Sequence, residues 1–147
     1  MENVLLDHGL PALFLLSLLA ATLLPLGSEW LLIALILQGL PVTQVVAVAT
    51  LGNVLGACIT YGIGIWGSDF FMGKFLRVEE KQAARAMGLY KRYGATSLLF
   101  AWLPIVGDPL CLVAGILRLQ PLLFLLLVFI GKAGRYVFIA LLAGIHT

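Results

Sequence analysis

Charged residues are scarce in this 147-residue chain: 11%, against 62% drawn from the hydrophobic set, with a mean hydropathy of +1.10. A soluble domain needs roughly a quarter of its residues charged to clothe its exterior, so lipid must serve as part of the solvent here. Cysteine occurs twice, as Cys58 and Cys111, each in an apolar stretch. That argues against a disulfide framework or a cysteine metal cage and for two small buried hydrophobes. Histidine also occurs twice, as His8 and His146, both near the ends. No Ser-His-acid triad or metal-ligand cluster can be assembled from them, and the expectation is a protein that is not an enzyme and carries no cofactor and no metal. The opening MENVLLDHG has no Lys or Arg, so no cleaved secretory signal is expected. Low-complexity segments and long polar linkers are missing too, which favours one membrane domain over residues 1–147.

The few basic residues that exist are unevenly placed. Lys74, Arg77, Lys81, Arg85, Lys91 and Arg92 gather in one short region, which the positive-inside rule makes cytoplasmic. In a lipid-embedded chain this cluster needs no nucleic acid to explain it. Residues 68–92 mix these cations with Phe75, Leu76, Val78, Met87, Leu89 and Tyr90, a composition suited to an interfacial amphipathic helix on an anionic leaflet.

Two apolar runs, residues 42–66 and 119–144, are long enough to cross a hydrocarbon core of ~30 Å at ~1.5 Å per residue. Two others are interrupted near the middle: residues 10–39 at LPLGSE (24–29), and 95–117 at LPIVGD (103–108). Pro25 and Pro104 each remove a backbone donor and crowd the preceding turn, and Gly27 and Gly107 lie in the same breaks. The arms that remain are mostly shorter than the ~20 residues a span needs. Both regions therefore read as re-entrant helical hairpins, with a kinked spanning helix as the simpler alternative for the first. Broken backbone at membrane depth is tolerated only where protein or a watery cavity satisfies it.

A shift of 79 positions aligns the unusual residues of the two halves. Leu24-Pro25 falls on Leu103-Pro104, Glu29 on Asp108, and Gly52-Asn53 on Gly131-Lys132. The expected fold is accordingly an all-α integral membrane protein, with two re-entrant hairpins and two or three transmembrane helices in an inverted-topology repeat. Repeat 1 covers about 10–67, the cytoplasmic segment about 68–92, and repeat 2 about 93–145. Such repeats place a transport site at the midplane, with broken helices pointing into it.

Glu29, Asp108, Lys132 and Arg135 all fall in hydrophobic segments, where each would cost roughly 2.5–3.5 kcal/mol unpaired at a helix centre. Two acids and two bases invite pairing. Lys132 and Arg135, three apart, share a helix face and can both meet the hairpin acids. Desolvation disfavours the charged form of a buried acid, so Glu29 and Asp108 are candidates to take up and release protons. An Arg fork and the helix N-termini after the two prolines also suit a phosphate. The competing reading is a static network that only fixes hairpin packing. Asn53 is expected as a hydrogen-bond partner for the first hairpin. GNVLG, with Gly52 and Gly56, is a G-x-x-x-G that predicts close helix packing, either on its own hairpin or on a second subunit of a homo-oligomer. GIGIWG (62–67) matches a dinucleotide fingerprint but follows no strand, so that reading fails.

At these residues the chain resembles the DedA family, also called VTT or SNARE-associated membrane proteins, and within it the small YqaA-like branch. The resemblance covers about residues 20–140 and rests on P-x-x-x-E at Pro25 to Glu29, GNVLGACITYGIGIWG (52–67), RYGA (92–95), and P-x9-A-G at Pro104, Ala114 and Gly115. It implies two re-entrant hairpins, a bacterial inner-membrane location, lipid translocation linked to the proton motive force, and an essential acid at Glu29. Typical members carry Arg on both sides of the second hairpin proline, where this chain has Ala101 and Gly107. Asp108, Lys132 and Arg135 are then a substitute charge set. The expected function is a lipid translocase or transporter moving an anionic lipid such as a polyprenyl phosphate or phospholipid, with membrane lipids and protons as partners. The alternative is a non-transporting membrane assembly protein that supports envelope integrity.

Overall fold

In the computed structural model the described residues are 2–22, 28–67, 88–103 and 107–145, and they are helical with no strand among them. Pro25, Gly27, Pro104 and most of the basic segment lie outside the described residues. Helix α1 spans Glu2–Thr22, α2 Glu29–Leu37 and α3 Val42–Trp66. A 3₁₀ segment, Gly94–Trp102, follows residues 88–93, which are α-helical; then come α4, Gly107–Ile116, and α5, Pro121–Ile145.

Both predicted long spans are present, each a helix of 25 residues, and both pass as candidate membrane spans. Helix α1 is longer than the arm expected from residue 10: it begins at Glu2 and runs straight through Pro11. One lost hydrogen bond costs less than leaving a whole turn of backbone unpaired in apolar surroundings. The second interrupted region differs in pitch, since its first arm is a 3₁₀ helix of nine residues, long for that geometry. It ends at Leu103, whose φ of −70° and ψ of 130° are those imposed on a residue that precedes proline.

Helices α2 and α4 stop in the same way. Gly39 has a φ of 92°, with Leu40 N–H donating to Leu35 O and Gly39 N–H to Ile36 O, both at 3.0–3.2 Å. Arg118 has a φ of 53°, with Leu119 N–H donating to Ala114 O and Arg118 N–H to Gly115 O, both at 3.0 Å. These are Schellman caps, which satisfy the last carbonyls of a helix internally. Gly39 and Arg118 are 79 positions apart, as are the starts of α3 and α5, so the spacing read from the sequence recurs in the helix boundaries.

The chain divides into two compact units: residues 1–56 with 132–147, and residues 57–131. In the first, Leu13, Leu32, Leu35, Val45, Ala49, Tyr136 and Ala140 form the buried core. In the second, Tyr61, Leu98, Leu110, Cys111, Phe124 and Val128 do so, with Cys58 packed against them and the Tyr61 and Phe124 rings stacked at 4.3 Å. The Tyr61 hydroxyl donates to the carbonyl of Leu119, tying down the α4–α5 turn. Leu122, Leu126, Phe138 and Leu141 of α5 point outward and are more than half exposed, a face that only lipid makes favourable.

Gly52 and Gly56 settle against α1 of their own chain. A Cβ at Gly52 would lie 2.5 Å from the Phe14 carbonyl oxygen, and one at Gly56 2.5 Å from that of Leu18 and 2.6 Å from the Ala21 Cβ. The G-x-x-x-G pair thus serves contact inside the first unit. Gly56→Ala is expected to destabilise the protein by about 1–3 kcal/mol, because backbone rather than a flexible side chain must yield. Gly62→Ala, with nothing within 4 Å of an added Cβ, should be neutral or stabilising by up to about 1 kcal/mol. Unfolding in mixed micelles, with the two variants side by side, measures both.

Candidate functional site

Three elements of the first unit bring their polar residues together. Helix α2 opens with Ser28 at its N-cap and Glu29 in its first turn, where the helix dipole favours an acid. Helix α3 supplies Asn53, 4% exposed. Helix α5 supplies Lys132, Arg135 and Tyr136, whose spacing of three and four places them on one face.

Arg135 Nη2 forms an ion pair with Glu29 Oε1, and the two side chains keep 17% and 25% of their surface exposed. The Arg135 guanidinium also lies 5.9 Å from the centroid of the Tyr136 ring. Lys132 is almost completely buried, and its ammonium donates to Asn53 Oδ1. The amide nitrogen of Asn53 donates to the Tyr136 hydroxyl at 2.8 Å, and that hydroxyl lies 2.7 Å from Ser28 Oγ. Tyr136 is fully buried, so its own proton needs an acceptor. Donation runs from Lys132 to Asn53 to Tyr136, whose hydroxyl shares a further hydrogen bond with Ser28.

Four of the five residues singled out for a substrate or proton site, Glu29, Arg135, Lys132 and Asn53, therefore meet in one unit. Asp108 lies in the second unit, in the first turn of α4. Asn53 bonds residues of α5 rather than the first hairpin as expected, because the α5 face presents both a donor and an acceptor to it. Reasoning from charge overlooked Ser28 and Tyr136. The available signal was a hydroxyl in an apolar run, one position after Arg135 and four after Lys132.

Gly107 packs on the backbone of Ala101, whose carbonyl carbon would be 2.9 Å from an added Cβ. At these two positions the resemblance predicts arginine. The contact leaves no room for a side chain at position 107. Among the described residues, no three His, Cys, Asp or Glu side chains gather as they would around a metal.

An all-helical membrane protein, with an ion pair and a buried polar chain among its apolar helices, is the class these observations define. The VTT domain family matches residues 24–144. The chain is 46% identical over 132 residues to inner membrane protein YqaA of Escherichia coli K12, an alignment covering 88% of this chain and 87% of that protein. The same figures hold for inner membrane protein YqaA of Shigella flexneri. A Haemophilus influenzae protein named only as uncharacterized is 38% identical over 138 residues, covering 88% of this chain and 84% of its own. No solved structure matches. The chain belongs to the VTT domain family, in its YqaA-like branch, and is an inner-membrane protein.

The ion pair can be weighed by a double-mutant cycle. Glu29→Gln and Arg135→Gln should each destabilise, and the double variant should lose less than the sum, by about 1–2 kcal/mol of coupling. Additive losses in chemical unfolding would mean that the pair contributes nothing to the fold.

Proposed function

We propose that this protein is a lipid translocase whose polar site, at the N-terminus of α2, handles the headgroup of an anionic lipid while the acyl or prenyl chain stays in the bilayer. The observation that carries this reading is the Glu29–Arg135 pair: a charged couple inside a chain otherwise poor in charge, and still a fifth or so exposed. Ionisable groups within membrane segments are costly, and they commonly mark substrate and proton pathways. Arg135 offers a fork that a phosphate can take over, and Glu29 would then be relieved of its charge by a proton. On this reading movement of the lipid is linked to proton uptake at Glu29.

The same reading includes the two re-entrant hairpins and the inverted repeat. It is supported by the recurrence of the 79-residue spacing in the starts of α3 and α5 and in the two Schellman caps. It is supported also by Asn53 and Lys132, equivalent positions that bond each other. Gly52 and Gly56, the features that favoured an assembly protein, are occupied by α1.

In proteoliposomes, Glu29→Gln and Arg135→Ala, still folded, should translocate fluorescent polyprenyl phosphate or anionic phospholipid at a tenth of the parent rate or less, a loss worth about 1.4 kcal/mol or more. Parent-like rates in both variants would sink the reading. Topology has its own check in a Cys58→Ala, Cys111→Ala background. Gln38→Cys and Glu80→Cys should react with an impermeant maleimide from opposite faces of the membrane; labelling of both from one face would contradict the inverted arrangement.

A further inference from the structure

Consecutive residues of α5 hold consecutive residues of α2: Arg135 pairs with Glu29, and Tyr136 bonds Ser28. Ser28 is the informative member. Serine at a helix N-cap ordinarily accepts a hydrogen bond from a backbone N–H two or three residues on. Ser28 occupies the N-cap of α2 with a φ of −67° and a ψ of −7°, and its side chain makes no capping bond. Its hydroxyl, on a residue 2% exposed, is directed to Tyr136 instead.

Asn53 Nδ2 can only donate, so the Tyr136 oxygen accepts from it. Between Tyr136 and Ser28 either hydroxyl can be the donor, and the bond ties α5 to the start of α2 in both cases. The amide of Asn53 fixes the orientation of the hydroxyl, and Lys132 fixes the amide.

We infer that Tyr136 is a positioning residue: it sets the place of the α2 N-terminus, and so of Glu29 against Arg135. The two holds differ in kind. The ion pair is released when Glu29 takes a proton or Arg135 takes an anion, whereas the Tyr136–Ser28 bond is neutral and persists through either event. It keeps α2 in register while its charged neighbour changes state. This deepens the translocase reading and rests on it for its functional meaning, but its test does not use transport.

Hydrogen exchange of the whole protein in nanodiscs reads the hold directly. In Tyr136→Phe, the α2 amides from Leu32 to Ile36 should exchange about five- to tenfold faster, the effect of losing one net hydrogen bond on local opening. Ser28→Ala should do the same, because Ser28 has no capping bond to lose, and the double variant should be no faster than either single one. Ser28→Thr, which keeps the hydroxyl, should exchange like the parent. Amides of α4 should be unaffected, and Tyr61→Phe, which removes a comparable hydroxyl from the second unit, should leave α2 unchanged. The inference is overturned by unchanged α2 exchange in Tyr136→Phe, by effects that multiply in the double variant, or by equal acceleration in α4. Should Tyr136→Phe fail to fold, Ser28→Ala against Ser28→Thr decides alone: equal exchange rates overturn it. Parent-like translocation in Glu29→Gln and Arg135→Ala, with α2 exchange behaving as expected, would discard the translocase and leave the positioning role of Tyr136 in place.

Discussion

In apolar surroundings each polar group needs its partner inside the protein, and the hold of α5 on the start of α2 is where that constraint is tightest. Two cations, an acid, an amide and two hydroxyls meet there. From Lys132 to Tyr136 the order of donors and acceptors is forced, since Lys132 can only donate and Asn53 has one donating and one accepting end. Change any member and a neighbour loses a hydrogen bond. Helix positions in the first unit are therefore fixed by chemistry as much as by packing.

The same constraint shapes the backbone. Interrupted helices expose carbonyls that lipid will not satisfy, and the Schellman caps after α2 and α4 return those carbonyls to the chain's own N–H groups. Arg118 accepts a left-handed φ for this purpose although it lacks glycine's freedom. Close approach then substitutes for the hydrophobic effect, which is absent between helices in lipid. Gly52 and Gly56 bring α3 onto the backbone of α1, while the outward faces of α3 and α5 keep Leu55, Ile59, Phe138 and Leu141 for the bilayer.

Much of this was legible in the sequence, because the penalties are so large that exceptions stand out. The two uninterrupted spans, the breaks and the charged positions could all be found from apolar run length and misplaced polarity. The 79-residue spacing was legible for the same reason and extends to caps that no motif announced. What escaped was neutral or local. A tyrosine or serine hydroxyl carries no charge to flag it, so Tyr136 and Ser28 were passed over. Pro11 gives no sign that the helix continues through it to Glu2. Nor does composition encode the 3₁₀ pitch of Gly94–Trp102, the segment against which α4 and Gly131 lie.

Asn53 and Lys132 show how a contact limits the likeness of the two residues it joins. They stand 79 positions apart and bond one another. Two positions that touch cannot both carry lysine, because the ammonium groups would repel with no acceptor between them in a medium that screens poorly. Two asparagines would satisfy the contact but bring no charge to the site. One neutral acceptor and one cation is the combination that satisfies contact and charge together. The difference between the two residues is thus required by the contact itself, and it leaves the positive charge on the helix that also carries Arg135.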